Sequence, residues 1–217
     1  HPIQTPAETD EFNGSSLGLQ WQWMANPKST WAFNFPANGV LRLFSEKLAD
    51  SIKNLWHAPN VLLQKFPAEE FMVTTKITFN PNTKLTNEKT GLVVMGYSYA
   101  SVALKSKADG IYLVYTICKN AENKNTEIET LVQKISGNSI LLRVTITKGG
   151  KCNFSFSEVH SPSDITTVRT FVPVGEEFVA ETGRWKGGKV GLFCTRQSQT
   201  NDAGYADADW FRVEAVK

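Results

Sequence analysis

Three cysteines, three histidines and a net charge of only +2 in 217 residues put several classes of protein out of reach. Cys118, Cys152 and Cys194 are too few and too evenly spread for a disulfide scaffold or a metal knuckle. Each lies in an apolar, strand-like run, where a cysteine behaves as a small buried hydrophobe. His57 and His160 stand apart in loop-like surroundings, with no second ligand at metal-binding spacing. The lysines are scattered and form no basic block, so no nucleic-acid partner is expected. No apolar run approaches the roughly 18 to 20 residues that a membrane span requires, and no basic-then-apolar leader opens the sequence, so no membrane partner is expected either. A Gly-rich phosphate loop and a Ser nucleophile elbow are missing. The absence of an internal repeat counts against a propeller or a solenoid.

Helical periodicity is also scarce. Only residues 45 to 60 place Leu48, Ile52, Leu55 and Trp56 on one helical face, and the following His57-Ala-Pro-Asn reads as a loop, so at most one or two helical turns are expected. Elsewhere short runs alternate with period two between turn residues such as Pro81, Asp109-Gly110, Gly137-Asn138, Gly149-Gly150 and Gly175. Leu19, Trp21 and Trp23 alternate with Gln20, Gln22 and Met24; Trp31, Phe33 and Phe35 repeat the pattern. Further strands are expected at 40–44, 61–65, 71–79, 92–99, 111–118, 127–135, 140–147, 152–157, 170–172, 190–195 and 208–213. Roughly a dozen strands without an ordinary helix predict an all-β fold, a two-sheet antiparallel jelly-roll sandwich. With 41% hydrophobic and 20% charged residues the chain can bury one core, and residues 10–217 are expected to form one domain. Residues 1–9, with two prolines and small polar side chains, read as an extended linker or a trimmed start.

Chemistry has few candidates. A sandwich that hydrolyses glycans needs carboxylates at tight spacing on one face, flanking one glycosidic bond. Glu127 and Glu129 share a face, but Leu131, Val132 and Gln133 follow where a third carboxylate is needed. No catalytic residue is assigned. Asp207 and Asp209 also share a face, and the first and last strands of a sandwich often lie side by side. Asp10 and Asp209 could then hold a structural calcium ion through oxygen ligands; the other reading is turn and backbone hydrogen bonding. Trp185 stands among Gly183, Arg184, Lys186 and Gly187, where nothing shares an apolar face with it, so its indole can serve as a platform for a sugar ring. Trp56 has the same character. If one sheet is cupped, Tyr97, Tyr99, Tyr112 and Tyr115 can line it as a direct glycan site.

Several stretches in this order resemble a known family: DEFNGSSLGLQWQW at 10–23, NVLLQK at 60–65, GLVVMGYSY at 91–99, ILLRVTITKGGKCNFSFS at 140–157, and GRWKGGKVGLFC with YADADWFR near the end. The chain resembles the C-terminal concanavalin A-like β-sandwich of family 43 glycoside hydrolases, the β-xylosidase and arabinofuranosidase group, from about Asp10 to Glu214. The resemblance implies a non-catalytic accessory unit beside an upstream five-bladed propeller that carries the catalytic carboxylates. It also implies a pentose-containing glycan as partner and an extracellular or periplasmic location. In the xylosidases an aromatic on the loop before a G-x-x-V-G strand closes the substrate pocket, and Trp185 takes that position. Two departures stand out: Lys189 replaces a second aromatic of that loop, and Ala208 replaces an aromatic between the two aspartates. An autonomous carbohydrate-binding module is the alternative, and an intact sandwich hydrolase the less favoured one.

Overall fold

The computed structural model describes residues 7–159, 169–183, 187–200 and 202–216. Among these residues the chain forms β1 (Gln22–Trp23), β2 (Ala32–Phe35), β3 (Val40–Phe44), β4 (Glu46–Lys47), β5 (Leu62–Lys65), β6 (Phe71–Asn80), β7 (Lys89–Met95), β8 (Tyr99–Lys107), β9 (Gly110–Cys118) and β10 (Ile128–Lys134). They are followed by β11 (Ser139–Thr147), β12 (Lys151–Glu158), β13 (Val172–Val179), β14 (Lys189–Arg196) and β15 (Tyr205–Glu214). Helix is confined to two single 3-10 turns, Leu55–His57 and Ala121–Asn123, so no helix of the described residues is long and apolar enough to cross a membrane.

The strands build two sheets. The eight-stranded sheet runs β1-β5-β14-β7-β8-β9-β10, with β4 beside β14; the seven-stranded sheet runs β13-β12-β11-β6-β15-β3-β2. Every pairing is antiparallel except that of β4 with β14. Alternation explains the layering. Ile140, Leu142, Val144 and Ile146 of β11 enter the core beside Phe71, Val73, Ile77 and Phe79 of β6, and meet Leu92, Val94, Val102, Leu104, Val190 and Leu192 of the facing sheet. Burying an aliphatic or aromatic side chain of this kind contributes roughly 1.5–3 kcal/mol, so the inter-sheet layer is the main source of stability.

The eight-stranded sheet is buried on its other face as well. Leu48, Leu55 and Ala58 from residues 45 to 60 lie over Leu63, Val93, Met95, Ala103, Val114 and Phe193, forming a second apolar cluster. This irregular segment is held by polar anchors. Asn54 accepts from the Trp56 amide at 3.1 Å and donates to the Ala121 and Asn125 carbonyls, while the Leu55 amide donates to the Tyr99 hydroxyl at 2.9 Å. Covering both faces also hides strand boundaries. The stretch expected as one strand over 92–99 is divided by a turn at Gly96–Ser98 into β7 and β8, because strands buried on two sides lose their alternation. The short strand expected at 170–172 is instead β13, which begins at Val172 and runs to Val179. It passes Gly175 at φ +71°, where a Cβ would collide with the Tyr115 ring.

The first and last strand-like segments do lie side by side. Asp10 and Phe211 exchange both backbone hydrogen bonds at 2.8 Å. Thr9, placed by sequence in the extended lead-in, accepts from the Val213 amide at 2.9 Å, and the Glu8 carbonyl accepts from Gln64 Nε2 at 3.1 Å.

Candidate functional site

β14 runs from Lys189 at one end of the sandwich to Arg196 at the other, and the segment 183–188 leads into its first residue. Trp185, the sequence's first candidate, lies outside the described residues, as does His160. Trp56, carried on the 3-10 turn, stacks at 30° on Tyr97 with ring centroids 5.8 Å apart, and the Tyr97 amide donates to the Thr182 carbonyl. Beside this pair a cavity of about 120 Å³ is lined by Met24, Trp56, Leu63, Met95, Gly183 and Gly187. Lys189, at the position of the expected second aromatic, is buried, and its Nζ donates to Gln22 Oε1 at 3.0 Å.

The tyrosines proposed to line one cupped face do not share a face. Tyr99 is fully buried on the outer side of its sheet, beneath Leu55, and donates to Glu127 Oε1. Burial, reinforced by the neighbouring Glu127 charge, pushes its phenol well above the ordinary range. Tyr115 points the other way, into the inter-sheet core, edge-on to Phe154 at 5.8 Å, with its hydroxyl donating to the Glu176 carbonyl; burial raises its pKa to about 12. Tyr112 is half-buried and donates to Asp109 at 2.6 Å. The physical reason is the turn at Gly96–Ser98 together with the covering segment: the first separates Tyr97 from the strand that carries Tyr99, and the second closes the face that was expected to be open.

Glu127 and Glu129 meet near Lys89. Glu127 Oε2 accepts from Lys89 Nζ at 2.8 Å, while Glu129 takes Lys105 at 2.6 Å and Lys89 at 3.4 Å. Burial alone would raise the Glu129 pKa, but Lys105 and Lys89 outweigh it and leave the carboxyl below its ordinary value. A general acid needs the opposite shift. A cavity of about 290 Å³ beside this cluster is polar and ionically satisfied at Lys89, Lys105, Glu127 and Glu129.

The aspartates expected to hold calcium are each engaged elsewhere. Asp207 makes a two-pronged pair with Arg42 at 2.7 and 2.8 Å, and Asp209 pairs with Lys76 at 2.5 Å. Asp10 accepts from the Phe12 amide at 2.8 Å and from Trp21 Nε1 at 2.8 Å. Among the described residues no group of three or more His, Cys, Asp or Glu side chains could hold a metal ion. The strand neighbourhood that motivated a calcium site is present, but the carboxylates turn to cations and N–H donors and do not fit a hard-cation site.

Residues 9–214 match the model of the β-xylosidase C-terminal concanavalin A-like domain. The chain belongs to that family. As a concanavalin A-like C-terminal domain it is similar to a β-xylosidase of Formosa agariphila, 24% identical across 99% of this chain and 36% of that protein. It is likewise similar to a non-reducing end α-L-arabinofuranosidase of Bacteroides ovatus, 25% identical across 93% of this chain and 36% of that protein. The chain therefore spans about a third of the length of the curated relatives it matches. Among solved structures, a xylan β-1,4-xylosidase from Bacillus halodurans superposes with a TM-score of 0.75 at 19% identity, covering 99% of this chain and 40% of that one. A bifunctional family 43 protein from Bacteroides eggerthii gives 0.79 at 20%, over 96% of this chain and 26% of that one.

This family member also carries aromatic surface that its sequence pattern hides. Phe33 on β2 is 55% exposed and meets Phe35 edge-on at 4.6 Å. Alternation places Trp31, Phe33 and Phe35 on one side, yet Trp31, just before β2, is buried while Phe33 is exposed. Which side of the strand meets solvent depends on β2 being the last strand of its sheet, which no local pattern announces.

Proposed function

We propose that this domain acts as the accessory unit of a family 43 glycan-degrading enzyme, without an acid–base pair of its own, and that the end bearing residues 183–188 faces a preceding catalytic domain. The observation that carries this reading is the course of the first described residues. Gln64 holds the Glu8 carbonyl, and Gln64 is the register partner of Val190, one residue into the strand that 183–188 enters. A polypeptide arriving from an upstream propeller would thus reach the sandwich beside the start of β14. An indole supplied from here would help hold a pentose ring in the neighbouring pocket, raising the effective concentration of the reactive geometry.

The experiment is a pair of measurements on aryl xylosides and arabinosides. The 217-residue chain alone is expected to give no turnover, and in an enzyme that includes the upstream domain Trp185→Ala is expected to lower kcat/KM while leaving this domain's unfolding midpoint unchanged. Turnover by the isolated chain that disappears on Glu127→Gln or Glu129→Gln would replace the accessory reading with a catalytic one.

A further inference from the structure

The end of the sandwich remote from residues 183–188 carries an open groove of about 910 Å³ between β2, β4 and the segment before β15. Its apolar floor is Phe33, Phe35 and Phe44, and its rim includes Thr30, Glu46 and Asp202. Contacts among the described residues brace the groove on both sides. Arg196 donates to the Ser198 carbonyl at 3.0 Å, the Thr200 carbonyl at 2.9 Å and the Ser45 carbonyl, which fastens the segment before β15 to the start of β4. On the other side Arg42 lies 3.8 Å from the Tyr205 ring centre and 4.9 Å from that of Phe35, and its two-pronged bond to Asp207 fixes its plane. Phe35 is thereby held from behind while Phe33 is left open to solvent.

The chemistry selects the ligand. Among the described residues the Glu46 and Asp202 carboxylates make no ion pair, whereas the guanidinium of Arg196 is spent on three carbonyls. The rim thus offers acceptors of negative charge beside aromatic rings, which repels anions and receives hydroxyl donors. Phe33 is the groove's one large hydrophobe that stays largely exposed, far less apolar surface than the roughly 800 Å² per partner of a stable protein interface. A sugar ring needs much less: one aromatic face for its C–H surface and a few acceptors for its hydroxyls. Phe33 lies level with Asp207 through Arg42, six residues along β15 from Val213, which bonds Thr9, so about 20 Å at roughly 3.3 Å per residue separates the groove from Thr9.

We infer that the Phe33–Phe35 groove, with Glu46 and Asp202 on its rim, binds a neutral glycan chain, separately from any pocket served by residues 183–188. It shares the glycan setting of the proposed function but not its site, so the two fail independently.

The test is affinity electrophoresis of the 217-residue chain through gels containing soluble neutral arabinoxylan, with polygalacturonate as an anionic control. The unaltered chain should be retarded by arabinoxylan and not by polygalacturonate. Phe33→Ala should weaken binding at least tenfold and Asp202→Asn several-fold, both keeping the thermal midpoint, while Trp56→Ala should leave binding unchanged at a temperature where it is folded. The inference is overturned by the absence of retardation in arabinoxylan, by equal retardation in polygalacturonate, or by a Phe33→Ala protein that binds unchanged. A loss confined to Trp56→Ala would likewise overturn it and move glycan binding to the opposite end. Turnover by an enzyme that includes the upstream domain should be insensitive to Phe33→Ala on small aryl glycosides, which separates this result from the outcome for Trp185.

Discussion

At the end where the chain arrives, Phe12 stacks on Trp21 at 5.9 Å and Trp21 meets Phe211 edge-on at 4.9 Å, all three rings covered; at the other end Phe33 leaves more than half of its surface in solvent. The same residue type does opposite work because the two ends close differently. The first end is sealed by the Asp10–Phe211 bridge, with Asp10 accepting the Trp21 indole N–H. The second is closed by backbone and charge. Glu88, fully buried, accepts the Asn82 amide at 2.6 Å and the Gly204 amide at 2.8 Å, pinning two loops to the start of β7 without covering the nearby rings. One end is an apolar plug, and the other a polar brace that leaves an aromatic floor open.

Substitutions can break this contrast. The largest effect is expected for Trp21→Ala, which removes a ring packed on two others and one of the hydrogen-bond donors to the Asp10 carboxylate; urea denaturation should show a loss of about 3–5 kcal/mol. A loss under 1 kcal/mol would mean that the arriving segment is not part of the core. Next comes Glu88→Ala, which leaves two amide donors without their acceptor and should cost about 2–3 kcal/mol. Amide exchange at Asn82 and Gly204 should accelerate in that variant, whereas exchange at Asp10 should not.

A smaller effect concerns pH. The Glu129 carboxyl is depressed in the folded state below its ordinary value of 4.5. Its contribution is therefore present above that value and disappears as pH falls through the folded pKa. Glu129→Gln should lower stability by about 1 kcal/mol at neutral pH and flatten the acid side of the stability profile, as expected for a partly buried pair. A profile unchanged below pH 5 would show that Lys89 and Lys105 do not hold this charge. The smallest stability change is expected for Phe33→Ala, within about 0.5 kcal/mol, since its ring is largely solvated. A loss comparable to that of Trp21→Ala would show that the open end is packed after all, sinking both the contrast and the groove.

The all-β sandwich was legible in the sequence because alternation and turn residues survive wherever one strand face meets water, as in β11 with Ile140, Leu142, Val144 and Ile146, whereas the family was legible through the resemblance of a few ordered stretches. The nearness of the first and last strand-like segments followed from how a sandwich usually closes and not from local pattern. The candidate site was less legible. Tyr99 and Tyr115 read alike, yet one lies under residues 45 to 60 and the other between the sheets. The carboxylates read as calcium ligands are paired with cations distant in sequence, Asp207 with Arg42 and Asp209 with Lys76.

Local pattern determined by itself that strands would form, roughly where they turn, and which residues of β6, β11 and β14 face inward, since those choices depend on spacing along one strand. Tertiary structure decided the rest. Which strand lies at an edge, which sheet receives a second covering layer and which carboxylate finds a cation depend on partners 100 or more residues away, as with Arg42 and Asp207, separated by 165 positions. Such encounters are fixed only when the whole sandwich closes, because a side chain's exposure is a property of what packs over it and not of its neighbours in the chain.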